Sequence, residues 1–223
     1  MLKNTYRNLL VSLILLLASY PLLIEAGLWG RVVELSLATA VLVTGTLAAR
    51  GRSLRASFAA SVSAAVVLTG IFALFNPDIA WVFALRALLF TIFLGLIIVV
   101  MSRHVFAGGR HASTTNRLYG AVCIYVLIGM FFADLHLIVN TIHPGSYLCQ
   151  AGQCGGDFQT TFQTGVHLYF SFITLATVGY GDIVPATWLS GMVAAMEAIV
   201  GQMYVAILVA RLVGLHLAAD AEK

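Results

Sequence analysis

The residues with the clearest chemistry form one run near the C-terminal end of the sequence, residues 177–181 (TVGYG). A segment of this kind presents a column of backbone carbonyl oxygens to a dehydrated K⁺ ion. Consecutive carbonyls point to one axis only when alternate residues adopt opposite-handed dihedrals, which glycine does without a Cβ clash. We predict a K⁺ selectivity filter that consists of Thr177, Val178, Gly179, Tyr180 and Gly181. K⁺ is expected to bind at the first four of these residues.

The composition limits where such a filter can lie. Of the 223 residues, 61% are hydrophobic and 9% are charged, against about 25% charged residues in ordinary soluble domains. So few charges cannot cover a water-soluble surface, so the chain is predicted to be an integral membrane protein. The expected partners are the lipid bilayer and K⁺ as the permeant ion, with no nucleic acid and no cofactor.

Apolar runs of about 20 residues are long enough to span a bilayer, and the sequence contains six of them. The filter lies in the longer stretch 141–185, between the fifth and sixth runs. We predict an all-α integral membrane protein with six transmembrane helices, and a re-entrant pore helix and filter loop between the fifth and sixth. The six runs are 8–28, 32–49, 56–76, 79–101, 118–140 and 186–214.

The basic residues predict the orientation, because cytoplasmic loops carry an excess of Lys and Arg. With the N-terminus inside, ten basic residues fall in cytoplasmic segments and only Arg31 falls in an external loop. Both termini are therefore expected in the cytoplasm of a multi-pass protein of the cell (inner or plasma) membrane. Lys3 and Arg7 before an apolar run also imitate a signal peptide, but the run continues past Pro21 without a good small-x-small cleavage site. A retained first helix is favoured.

The residues around the filter resemble a known family. Segment 168–174 (LYFSFIT) and the filter resemble the pore helix and filter of potassium channels of the tetrameric cation-channel superfamily, and 197–204 (EAIVGQMY) resembles the inner helix of small prokaryotic members. The resemblance implies a potassium channel, and a homotetramer, because a K⁺ filter needs four such loops. It divides the chain into a four-helix transmembrane domain with a cytoplasmic linker (1–117), a pore domain (118–216) and a short cytoplasmic tail (217–223).

The filter supports of the family are altered in this sequence. Tyr169 and Phe170 occupy the positions of an aromatic pair that is often two tryptophans. Phe170 has no donor to hold Asp182 at the outer mouth, so that brace is absent unless Tyr169 replaces it. Ile173 stands where some members have a carboxylate behind the filter. We predict that Glu197 bonds groups behind the filter and compensates for Ile173; a protonated or hydrogen-bonded glutamate with a purely structural role is the alternative.

Other positions of the pore domain take roles from the same resemblance. Thr164 is a plausible N-cap for a pore helix over 165–174. Gly201 is either a gating hinge or a close-packing site. The cavity below the filter is predicted to be lined by Gln202, Val205 and Val209.

The front half carries little charge for sensing voltage. A steeply voltage-dependent channel needs several charges in each sensor, and the fourth run holds only Arg86. We predict a channel that is not strongly voltage-gated, in which Arg86 snorkels outward or pairs with an acidic residue. Its candidate partners are Asp78, Glu34 and Glu25. The chain ends about a dozen residues after Arg211, so no cytoplasmic ligand-binding domain is expected.

Cys149 and Cys154 lie in the external loop, where an oxidising environment would allow a disulfide; free thiols or an inter-subunit bridge are the alternatives. Cys123 is expected to be a small buried apolar residue. A membrane thiol oxidoreductase is disfavoured because the sequence has no Cys-x-x-Cys pair, so no enzyme is predicted. The outer histidines, His136, His143 and His167, are expected to be loop and interface residues instead of a pH sensor.

Two alternatives keep the fold and change the activity. In the first alternative the chain is a weakly selective cation leak, and in the second it is a modulatory subunit of another channel. Tyr180 favours K⁺ selectivity over the first, because non-selective relatives usually lack this tyrosine.

Overall fold

The computed structural model describes residues 5–23, 27–48, 53–75, 80–107, 114–149 and 163–221. These residues form seven helices and two short strands. The elements, in chain order, are α1 (Thr5–Leu23), α2 (Gly27–Ala48), α3 (Ser53–Phe75), α4 (Ala80–Ala107), α5 (Thr114–Ile142), β1 (Tyr147–Cys149), α6 (Gln163–Leu175), β2 (Ile183–Pro185) and α7 (Trp188–Ala221).

Five of the described helices, α2, α3, α4, α5 and α7, are long and apolar enough to cross a membrane. The apolar part of α1, Tyr6–Tyr20, is shorter, as is that of α6, Gly165–Leu175. The helical architecture fits the predicted multi-pass membrane protein, while the sixth span stays a prediction.

The predicted boundary between the first two helices is wrong. The run 8–28 extends past the end of α1 at Leu23, and α2 begins at Gly27, before the run 32–49. Hydropathy averaged along the chain does not locate the boundary between two helices when the residues on both sides of it are apolar.

The helices pack around α5, which contacts α1, α4, α6 and α7. Apolar side chains of α1, α2, α3, α4 and α5 form one buried core, and α6 contributes Leu168 and Leu175 to it. The short helix α6 contacts both α5 and α7. This arrangement holds the segment after α6 at a fixed place in the fold.

A two-stranded antiparallel sheet departs from the all-α prediction. Tyr147 pairs with Pro185, and Cys149 pairs with Ile183. Ser146 extends the connection, because its carbonyl accepts hydrogen bonds from the Ala186 amide at 2.8 Å and the Ser190 hydroxyl at 2.8 Å. Strands of three residues are too short to produce an alternating pattern in the sequence, which is why they were not predicted.

Candidate functional site

Helix α6 leads directly into the 177–181 segment. It begins at Gln163, so Thr164 lies inside the first turn and the predicted N-cap is wrong. At its other end the Ile173 carbonyl accepts the amides of Val178 at 2.8 Å and Gly179 at 3.2 Å. These amides point back to α6, so the backbone after the helix is anchored through its N–H groups.

The backbone of the segment alternates in handedness. Thr177, Gly179 and Gly181 have φ values of 56°, 53° and 78°, all in the left-handed region. The left-handed glycines are as predicted. The left-handed conformation of Thr177 was not predicted, because this conformation was expected of glycine alone. A β-branched residue with positive φ is an outlier, and such strain costs of order 1–3 kcal/mol and clusters at functional sites.

Thr177 also contacts α7. The Gln202 Nε2 donates to the Thr177 Oγ1 at 3.1 Å, and the Thr177 hydroxyl donates to the Ala176 carbonyl at 2.7 Å. Gln202, Val205 and Val209 are all exposed within the subunit. Their spacing of three and four residues places them on one helix face, which begins beside Thr177.

Tyr169 provides the outer brace that Phe170 lacks. Its hydroxyl donates to the Asp182 Oδ2 at 2.7 Å, and the Ile183 amide donates to the Asp182 Oδ1 at 3.0 Å. The hydrogen bond to Asp182 raises the pKa of Tyr169 to about 12. Phe170 and Ile173 instead pack in a small apolar cluster with Val139, Tyr147 and Ile183.

Glu197 lies at the centre of a buried polar network behind α6. Its Oε2 is 2.8 Å from the His136 Nε2, and its Oε1 contacts the Ser171 Oγ. The His136 Nδ1 lies 2.6 Å from the Tyr147 hydroxyl, and the Ser171 Oγ lies 2.6 Å from the Gly129 carbonyl oxygen. The network joins α5, α6, α7 and β1 in one chain of hydrogen bonds.

Counting hydrogens in this chain assigns a proton to Glu197. Ser171 has one hydroxyl hydrogen, yet its Oγ contacts the oxygens of both Gly129 and Glu197. A protonated Glu197 supplies the missing hydrogen by donating to Ser171, which then donates to the Gly129 carbonyl. On the other side, the Tyr147 hydroxyl donates to the His136 Nδ1, and the His136 Nε2–H donates to Glu197. Burial raises the pKa of Tyr147, which keeps this hydroxyl a donor, and every group in the chain is then satisfied without a buried charge.

The family comparison covers all of these elements. Residues 121–215, from α5 through the 177–181 segment into α7, match the family described as "Ion channel". These residues are an ion-channel domain. Membership of the cation-channel superfamily, inferred from the resemblance, is thereby confirmed over this segment. Searches of curated proteins and of solved structures each gave no match.

Within the ion-channel domain, Gly201 is a close-packing site. A Cβ at this position would clash with the Leu175 carbonyl oxygen at the end of α6. Further along α7, the Tyr204 hydroxyl donates to the Ala121 carbonyl of α5 at 2.7 Å. Helix α7 runs without a break through Gly201, so the hinge role stays a prediction.

Two of the three outer histidines differ from their expected loop and interface positions, whereas His143 lies in a loop as expected. His136 and His167 are buried, and His143 is exposed. Tyr147 packs edge-on against both buried rings, with centroid distances of 5.4 Å each, so these two histidines belong to one cluster. An ionisable residue within an apolar span is a functional candidate by default. The position of His136 within the fifth apolar run could therefore have identified it from the sequence.

Three predicted partners, two of Arg86 and one of Cys149, lie outside the described residues. Arg86 pairs with Glu34 at 3.2 Å, one of its three candidate partners, whereas Asp78 and Glu25 are not among the residues described. Cys149 is disulfide-bonded, and its candidate partner Cys154 also lies outside the described part. Cys123 is a buried free thiol, as predicted.

Proposed function

We propose that the protein is a potassium-selective channel that conducts K⁺ passively through the 177–181 segment. The observation that carries the proposal is the alternation of left-handed residues at positions 177, 179 and 181 within an ion-channel domain. With two of the amides bonded back to Ile173, the carbonyls are free to face an ion, as a K⁺ filter requires.

The same segment supports a homotetramer. Within one subunit the side chains of Val178 and Tyr180 are 50% and 71% exposed. Non-helical backbone at membrane depth is tolerated only where it is buried in protein or lines water, and one copy of the chain provides neither on all sides. Four copies around an axis would cover these side chains and enclose the ions.

Weak voltage dependence is part of the proposal. The one basic residue within the outer two-thirds of α4, Arg86, is paired with Glu34 on α2. Moving one charge through the field supplies about 2.3 kcal/mol per 100 mV, so a single arginine in each subunit gives a shallow response. The two other candidate partners of Arg86, Asp78 and Glu25, are acidic and so do not change the number of basic residues in this part of α4.

The test is reconstitution of the purified protein into liposomes with opposed K⁺ and Na⁺ gradients. We expect the reversal potential to follow the K⁺ gradient in the wild type. Gly179→Ala places a Cβ on a residue with φ of 53° and should abolish selective flux. Val184→Ala, an exposed truncation in β2, is the matched control and should conduct normally.

Two results would contradict this function. A reversal potential that responds equally to Na⁺ and K⁺ would favour the weakly selective leak. Well-folded tetramers without any current would favour the modulatory subunit.

A further inference from the structure

A cavity of about 80 Å³ lies between the front helices and α6, and we refer to it as the outer cavity. Its charged lining consists of Glu34 on α2, Arg86 on α4 and Asp134 on α5. These residues lie six to eight positions from the helix ends that the sequence predicts to be external, about 9–12 Å deep at 1.5 Å per residue. The cavity is therefore within reach of the outer face of the membrane.

Asp134 is the unexplained member of this lining. Its side chain is buried, with 7% of the residue exposed, and its Oδ2 has no hydrogen-bond partner among the described residues. A buried polar oxygen without a partner costs roughly 1–3 kcal/mol, and native proteins contain few of them. The Arg86 guanidinium donates to Glu34, and no described residue donates to the Asp134 Oδ2.

The charge and shape of the outer cavity define that donor. With Asp134 ionised, two carboxylates would face one guanidinium, and the lining would disfavour anions and favour a cation. A metal ion would need several oxygen ligands, but apart from Tyr20 the remaining walls are apolar and include Phe90, Met130 and Leu168. The volume holds several water molecules or one small organic ion.

We propose that the outer cavity binds a small primary ammonium compound with a short apolar body. The ammonium donates to the Asp134 Oδ2, and the apolar body lies against Phe90, Met130 and Leu168. Leu168 belongs to α6, and Asp134 is two residues before His136 of the Glu197 network, so the ligand would contact the elements that support the filter. This site does not depend on which ion the filter conducts.

The test measures ligand-induced thermal stabilisation of the full-length protein in phosphatidylcholine vesicles. n-Butylammonium should raise the melting temperature in a saturable manner, whereas n-butanol, of similar size but neutral, should raise it little. Asp134→Asn keeps the shape and removes the charge, and it should weaken n-butylammonium binding about tenfold or more, since a charge-assisted bond is lost. Equal stabilisation of the wild type and Asp134→Asn, or by the amine and the alcohol, would overturn the proposal.

A second variant guards against misfolding of Asp134→Asn. Ala38 lines the outer cavity on α2, and Ala38→Leu should fill the cavity and abolish the shift with all charges retained; an unchanged shift would contradict the site. Vesicles containing phosphatidylethanolamine distinguish the source of the ammonium. If the lipid alone stabilises the wild type but not Asp134→Asn, the ligand is a lipid headgroup. Stabilisation by the free amine alone identifies a soluble ligand, and stabilisation by neither refutes the proposal.

Discussion

Glu197 offers the sharpest test of the hydrogen-bond chain behind the filter. Glutamine has the shape of a protonated glutamate: its amide oxygen accepts from the His136 Nε2–H and its amide nitrogen donates to the Ser171 Oγ. We therefore expect Glu197→Gln to keep the chain intact and to retain tetramers and K⁺ conduction. Glu197→Ala removes both contacts at once.

The magnitude follows from the groups that Glu197→Ala leaves without partners. His136 and Ser171 are both fully buried, and each buried group that loses its partner costs roughly 1–3 kcal/mol. The free energy of unfolding of the alanine variant should thus be lower by roughly 2–6 kcal/mol per subunit, before any cavity cost. The glutamine variant should lose less than about 1 kcal/mol, since both bonds are replaced by neutral ones of the same geometry.

Thermal unfolding of the detergent-solubilised protein measures these differences. Ile71→Ala, an exposed truncation on α3, controls for the loss of side-chain atoms and should behave like the wild type. Infrared spectroscopy adds a direct readout: a protonated carboxylic acid band should be present in the wild type and absent from Glu197→Gln. A glutamine variant as unstable as the alanine variant, or the absence of that band, would refute the hydrogen count.

Three further predictions concern the filter and its supports. Tyr169→Phe should remove the outer brace on Asp182 and accelerate the decay of K⁺ current. Because the folded-state pKa of Tyr169 is raised to about 12, the wild-type brace should be present at pH 10 and be lost as the pH rises through 12. Equal decay rates for the wild type and Tyr169→Phe at pH 7 would contradict the brace. Gly201→Ala should lower the free energy of unfolding by roughly 1–3 kcal/mol through overpacking against Leu175, which chemical denaturation measures. Replacing K⁺ by Na⁺ should lower the melting temperature, because ions that bind only the folded filter stabilise it; equal melting temperatures in both salts would count against a K⁺ site.

The parts that the sequence predicted are local. The left-handed glycines of the 177–181 segment, the helix α6 and the order of helices depend on residues close in the chain, whose types state their own requirements, such as glycine at left-handed positions. Thr177 shows the limit: its neighbours impose a conformation that its own side chain disfavours. Only the alternation of the whole segment, not the residue type, could have predicted it.

The parts that it missed depend on contacts between distant segments. Glu197 was predicted to support the filter, but its partner His136 is 61 residues away in the sequence. No periodicity along one helix identifies which face of another helix it will meet. Asp134 escaped notice for the same reason, since its only signal was a carboxylate within an apolar run.

The close contact at Gly201 restricts where the conduction path can change its width. Above this point α7 is pressed against the end of α6, and at Tyr204 it is tied by a hydrogen bond to α5. Movement of α7 at Gly201 would displace the end of α6, which leads into the 177–181 segment, and movement at Tyr204 would displace α5. We therefore expect any gate to lie beyond Tyr204, near Val205 and Val209, so that it could open and close without moving the 177–181 segment.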